Sequence, residues 1–66
     1  MDLLIQRNDE ICLWSSSCSG DIVSCSYGTA GRAAMRLCGS VPADVARTQI
    51  QAHLSKGWKI VSGRLY

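Results

Sequence analysis

The sequence predicts a small α+β domain, in which an antiparallel sheet of about four to five strands packs one face against one helix at about residues 41–56. Two observations lead to this prediction. Short apolar runs separated by turn residues occupy the first half of the chain, and a helical pattern followed by glycine precedes a last apolar run. The resulting order is strand, hairpin, strand, helix and strand, which is typical of a sheet with one helix on one face.

Three strands are predicted in the first half of the chain, because each is a short apolar run bounded by turn or small polar residues. In the second of them, Ile11 and Leu13 lie on one face and Cys12 and Trp14 on the other. The third strand forms a hairpin with the second across a polar, serine-rich loop. The three predicted strands are 3–5, 10–15 and 22–27.

The segment 32–38 fits both a strand and a helix, because short apolar runs do not separate the two by periodicity. A helix has support from intrinsic propensity, with Ala30, Ala33, Ala34, Leu37 and Cys38 on one face. We favour the strand. The gap before the next helix is too short for a second helix, and a glycine would occupy the first helical turn.

The segment 40–61 has the features of a helix followed by a strand. Ser40 is the predicted N-cap, Pro42 suits the first turn, and Asp44 complements the positive end of the helix dipole. Gly57 ends the helix, and a last strand follows over 58–65. The apolar stripe of the helix consists of Ala43, Ala46, Ile50 and Leu54.

We expect this stripe to cover the sheet face that carries Ile11, Leu13, Met35, Leu37 and Ile60. The opposite face then stays partly open. Trp14 and Tyr27 would form an aromatic patch on that open face, suited to a protein partner or to stacked bases. The alternative is that an edge or a loop covers these two aromatic side chains.

Length and composition restrict the class of protein. A chain of 66 residues corresponds to one domain, 1–66, and its 47% apolar and 18% charged residues suit a globular fold. No apolar run approaches the ~20 residues of a membrane span, and the first residues lack the basic segment of a signal peptide. We therefore expect a cytoplasmic protein, in the host cell if phage-encoded, with no membrane partner.

Charge is divided unevenly between the two halves. Residues 1–31 carry a net charge of −3 and residues 32–66 a net charge of +5. Such an asymmetry predicts a basic face that suits nucleic acid or an acidic protein surface. The alternative is a set of dispersed, solvated cations.

The residue pattern does not favour catalysis or metal binding. The cysteines at 12, 18, 25 and 38 lack the paired spacing of two to four residues that zinc sites use, so we expect buried apolar cysteines and no cofactor. A zinc-stabilised domain is the alternative. His53 is the single histidine, and it suits packing or the surface better than a catalytic base. We predict that the protein is not an enzyme.

Two segments resemble known families. Tyr27-Gly28-Thr29-Ala30-Gly31-Arg32, followed by a strand, a helix and Lys56-Gly57-Trp58, resembles the second half of a WGR domain, a family associated with DNA binding. The resemblance covers residues 27–58, and the namesake Trp-Gly-Arg is absent. The segment 53–62 is similar to the Gly-Trp-x-x-Val ending of small bacterial domains, which supports the fold alone. In size and charged face, the chain is similar in kind to phage anti-CRISPR proteins.

These features together predict a small binding protein that inhibits or regulates a larger complex. The most specific version is an anti-CRISPR-type inhibitor that blocks a nucleic-acid or subunit surface of a CRISPR effector. The alternative is a WGR-like nucleic-acid-binding module, and an edge strand could also pair two copies into a homodimer. The predicted partner-binding residues are Arg32, Arg36, Arg47, Lys56, Lys59, Arg64, Trp14 and Tyr27.

Overall fold

A computed structural model describes residues 1–32 and 34–64, which form a five-stranded antiparallel sheet and one helix packed on it. This confirms the predicted α+β class. The elements are β1 (Asp2–Arg7), β2 (Glu10–Ser16), β3 (Ile22–Thr29), β4 (Met35–Pro42), α1 (Ala43–Ser55) and β5 (Lys59–Gly63). The strand order across the sheet is β4-β3-β2-β1-β5, so that both strands flanking the helix in sequence lie at sheet edges.

The helix covers one sheet face through the stripe that the sequence predicts. Ala46 and Ile50 are fully buried, and Ala43 and Leu54 pack against the same core. On the sheet side, the buried residues are Leu3, Ile5, Cys12, Trp14, Val23 and Cys25.

The face chosen by the helix is the opposite of the expected one. Alternation along β2 is as predicted, but the helix covers Cys12 and Trp14, whereas Ile11 and Leu13 point to the uncovered side. The expectation that the helix stripe meets the Ile11 face is therefore wrong for Ile11, Leu13, Met35 and Leu37. Ile60, which was expected beside them, pairs with the buried Ile5 and lies on the helix side of the sheet. The physical reason for the choice of face is composition, because the uncovered face also carries serines from four strands, whereas the sheet residues buried under the helix are all apolar.

Within the segment 32–38, residues 35–38 belong to β4, so the strand that we favoured over a helix is found there. β4 extends further than expected, to Pro42. Ser40 lies within β4, where its hydroxyl is 3.1 Å from that of Ser24, so it is not the N-cap. Pro42 occupies that position without a side-chain hydrogen bond. The amide of Ala43 donates instead to the backbone carbonyl of Asp21 at 2.9 Å, which satisfies one free N–H of the first turn.

The last strand ends earlier than predicted, at Gly63, and the predicted strand residue Leu65 lies outside the described residues, as does Ala33. Among the described residues α1 is the one helix, and it is neither long nor apolar enough to cross a membrane.

Gly63 has φ +87°, and a Cβ built on it overlaps the backbone carbonyl of Asp2. The end of β5 can therefore approach β1 only because residue 63 has no side chain.

We expect Gly63→Ala to lower the free energy of unfolding more than Gly20→Ala does. Gly20 has a similar φ of +80°, but nothing lies within 4 Å of a Cβ there, so its alanine variant carries only the backbone strain of about 1–2 kcal/mol. The Gly63 variant must also separate β5 from β1. Urea unfolding followed by tryptophan fluorescence measures both. Equal losses in the two variants would contradict the close approach of the two strands.

Candidate functional site at the basic end of the sheet

Five of the seven lysine and arginine residues lie at one end of the sheet, which we call the basic end. The antiparallel strands and the returning helix explain this, since the end of β1, the start of β4, the end of α1 and the start of β5 all meet there. Two acids, Asp9 and Glu10, share the basic end, which leaves it with a net charge of +3. The cations are Arg7, Arg32, Arg36, Lys56 and Lys59.

The remaining charges lie on the rest of the molecule. Arg47, in the first half of α1, and Arg64, after β5, are the two other cations. Three aspartates accompany them, so this part of the chain carries a net charge of −1. The fold thus brings together four of the six predicted cationic site residues and separates Arg47 and Arg64 from them.

Arg7 is not among the site residues that the sequence predicts, because it belongs to the acidic half of the sequence. Its guanidinium carbon lies 5.2 Å from the centre of the Trp58 ring, a cation–π geometry, and its Nη2 lies 3.4 Å from the Glu10 carboxylate. The first predicted strand, 3–5, ends two residues before Arg7, so the sequence alone placed Arg7 just after that strand. Its proximity to Lys56 and Lys59 depends on the pairing of β5 with β1.

The expected aromatic patch is absent from the uncovered face, and that part of the hypothesis is wrong. Trp14 is 1% exposed beneath the helix, in the core. Tyr27 pairs with Cys12 across the β2–β3 ladder and therefore lies on the same covered face. Of the two, Tyr27 reaches solvent, with 36% exposure, near the basic end.

His53 fixes the position of Tyr27 and is a packing residue. Its ring makes edge-on contacts with Trp14 and Trp58, with centroid distances of 6.1 and 5.3 Å. Its Nδ1 is 2.7 Å from the carbonyl of Gln49, which can only accept, so Nδ1 carries the proton. Nε2 lies 3.4 Å from the Tyr27 hydroxyl, which can donate a hydrogen bond to it.

A shallow, open cleft of about 420 Å³ lies at the basic end beside this tyrosine. Its lining combines two aromatic rings with a carboxylate that is already paired with Arg7. The aromatic rings of such a surface can stack on a ring of a ligand, and its carboxylate can contact a cation. Its lining residues are Glu10, Tyr27, Gly28, Thr29 and Trp58.

The cysteines divide into a buried and an exposed pair. Cys12 and Cys25 are buried free thiols with their sulfur atoms 3.3 Å apart, whereas Cys18 and Cys38 are exposed. Burial raises the pKa of both Cys12 and Cys25, and for Cys12 the contact with Cys25 raises it further. In residues 1–32 and 34–64, no three His, Cys, Asp or Glu side chains are grouped so that they could hold a metal ion.

Burial also raises the pKa of the Tyr27 hydroxyl, which lies beside these two thiols. The hydroxyl therefore stays protonated and can donate to His53. The hydroxyl and the two thiols therefore pack and hydrogen-bond in their protonated forms, because burial disfavours the ionised form of each.

Comparisons with known proteins give no relatives. No protein-family model, no curated protein and no solved structure matches this chain. The resemblances to WGR domains and to anti-CRISPR proteins therefore remain predictions.

We expect the free energy of unfolding to fall as the pH rises above 9.0, the ordinary pKa of a thiol. The buried thiols stay protonated in the folded chain but ionise near that pH once unfolded, so alkali favours unfolding. Their stabilisation is complete below pH 9.0 and is lost above it, at a limiting rate of about 1.4 kcal/mol per pH unit per thiol. Urea titrations in reductant at increasing pH measure the slope.

Two variants serve as controls for this slope. Cys12→Val keeps an apolar side chain of similar size and should reduce the slope, whereas replacing both exposed cysteines by serine should leave it unchanged. The assignment fails if the Cys12 variant retains the full slope.

Proposed function

We propose that this protein is a small non-enzymatic binding module that attaches through its basic end to an acidic surface of a larger complex. The observation that carries the proposal is the convergence of five cations from separate segments of the chain at one end of the sheet. The most specific version is an inhibitor of the anti-CRISPR type, which occupies a nucleic-acid or subunit surface of a CRISPR effector.

The cations of the basic end are available to a partner. Within residues 1–32 and 34–64, Arg7 and Glu10 form the one ion pair, and Arg32, Arg36 and Lys56 are exposed. Exposed like charges at one end of a small molecule steer it towards an acidic surface and orient it on arrival.

A protein surface fits this end better than a continuous phosphate backbone. Asp9 and Glu10 lie among the cations, and such mixed charges match a patterned protein surface, whereas phosphates would repel both carboxylates. The cleft beside Tyr27 could in addition receive an aromatic or apolar side chain of the partner.

Nucleic-acid binding is the second candidate, and one observation favours it. Tyr27 is partly exposed beside the cations, the combination that single-stranded nucleic acids use for stacking and phosphate contact. This function predicts binding to random-sequence duplex or single strands that weakens steeply with added salt.

Charge reversal at the basic end tests the proposal. We expect Arg32→Glu with Lys56→Glu to weaken partner binding at least about 100-fold, because it removes two attractive charges and adds two repulsive ones. Arg47→Glu with Arg64→Glu is the matched control, since it changes the net charge equally but away from the basic end. The control should change binding less than about 10-fold.

The assay adds each variant to a panel of purified, guide-loaded CRISPR effectors and measures target-DNA binding and cleavage. Fluorescent random-sequence DNA and RNA at low salt are tested in parallel. Inhibition of an effector without nucleic-acid binding supports the inhibitor. Salt-sensitive binding to the free nucleic acids alone supports the second candidate, and equal effects of the two double variants would remove the basic end from the function.

A further inference from the structure

The sheet face opposite α1 is uncovered by any helix or strand of residues 1–32 and 34–64, and we call it the open face. Its outward side chains follow from the strand register, in which Leu4, Leu13, Ser26 and Leu37 form one row across four strands. Leu37 is 65% exposed. An exposed apolar surface of this kind marks an interaction site. The apolar members of the open face in the half nearest the basic end are Leu4, Ile11, Leu13, Met35 and Leu37.

These apolar side chains form a continuous patch. Gly28 lies between Ile11 and Met35, and a Cβ placed on it would be 3.0 Å from Cγ of Met35 and 3.6 Å from Cγ1 of Ile11. The missing side chain at Gly28 therefore lets Met35 and Ile11 lie over the β3 backbone. The patch extends from β1 to β4 in the half of the open face nearest the basic end.

The other half of the open face is mostly polar and small, and the pair Ile22 and Pro42 lies at its end. Ser15, Ser24 and Ser40 form a row across three strands, and the hydroxyls of Ser24 and Ser40 are 3.1 Å apart. Ser15 donates to the Asp2 carboxylate at 3.2 Å. The open face thus has an apolar half and a serine half, and its two charged members in the register, Asp2 and Lys59, lie at opposite ends.

We propose that a second copy of this chain covers the open face, with the two sheets stacked about a twofold axis parallel to the strands. Because β2 is the central strand, this axis places β2 on β2, β1 on β3 and β5 on β4 of the other copy. The axis leaves the basic ends of both copies at the same end of the dimer. The apolar half of one copy therefore packs on the apolar half of the other, and the serine half on the serine half. A twofold axis across the strands would place leucines on serines.

Charge and area both support a second copy as the occupant. The proposed axis leaves Lys59, on an edge strand, at the rim and brings Asp2 over β3 of the other copy, whose Ser24 can donate to it. Five strands at a spacing of about 4.8 Å and a length of roughly 20 Å give a face of about 480 Å². Two such faces bury about 1,000 Å² together, which reaches the lower limit of a specific interface.

The pairing also supplies what a chain of this size lacks. A domain of about 60 residues buries only about 60% of its unfolded surface, and here one of the two sheet faces contributes little to that burial. Stacking two copies converts a helix–sheet layer pair into four layers with an apolar centre. The two basic ends then lie at the same end of the dimer, and, on the proposed function, present one doubled binding surface.

Mass measurement by sedimentation over micromolar to near-millimolar concentrations, in reductant, tests the dimer. We expect the wild-type chain to shift from 7.1 kDa to twice that mass. Leu13→Asp, at the axis, should weaken association at least about 100-fold. Val45→Asp is the matched control, because Val45 is an exposed aliphatic residue on α1, 39% exposed, and the dimer should form unchanged.

Leu37→Asp provides a second variant if Leu13→Asp fails to fold, since the side chain of Leu37 is the more exposed. It should also weaken the dimer. A wild-type mass of 7.1 kDa at every concentration overturns the proposal, as does equal dissociation of the Val45 variant and a folded open-face variant.

A distance between the two copies tests the axis. A nitroxide on Asp9→Cys, with Cys18 and Cys38 changed to serine, marks the basic end and leaves the buried thiols unlabelled. In the proposed dimer both basic ends lie at the same end, so the distance between the two labels should be below 30 Å, the longest dimension of one folded copy. A longer distance overturns this axis. Both measurements are independent of the charge-reversal assay, so a failed dimer and a failed basic end are distinguishable.

Discussion

The packing of α1 over the sheet face that carries Trp14 determines which side chains form the core and which remain outside it. The indole of Trp14 lies beneath the helix, against His53, and Ala46 and Ile50 close the same core. Because side chains alternate between the two faces of a strand, burial of this set sends Leu13 and its neighbours to the other side. One choice of face therefore defines both the core and the open face.

That contact carries a cost, which the composition of the two faces explains. Nε1 of Trp14 is the one buried side-chain nitrogen or oxygen in the described part of the chain without a hydrogen-bond partner, a penalty of about 1–3 kcal/mol. Burying the opposite face would have removed the hydroxyls of Ser15, Ser24 and Ser40 from water as well. The helix takes the face with fewer polar atoms to satisfy.

The route of the helix also determines the electrostatics. It starts where β4 ends, crosses the sheet and returns the chain to the end where β1 finishes, so that β5 can pair with β1. Lys56 follows the last helical turn, where the negative end of the helix dipole favours a cation. The net charge of +3 at the basic end is thus a consequence of topology, and sequence distance says little about it.

Local patterns were sufficient for the elements themselves. The helix stripe and the alternation in β2 could be predicted, because each depends on residues within a few positions of one another. The strand before the helix has no such periodicity signal, and the short gap to the helix was what favoured it. The N-cap at Ser40 could not be predicted. A cross-strand partner, Ser24, holds Ser40 in β4, and the Asp21 carbonyl takes over the capping.

Alternation and helical periodicity are properties of the local backbone, so the amino-acid pattern alone indicates which residues share a face. The tertiary structure sets which face the helix covers, because that depends on the summed polarity of residues from four strands. It likewise decided that Arg7 joins Lys56 and Lys59 and that Arg47 does not, since strand pairing brings together residues about 50 positions apart. The basic end is therefore formed by the fold, and no sequence motif corresponds to it.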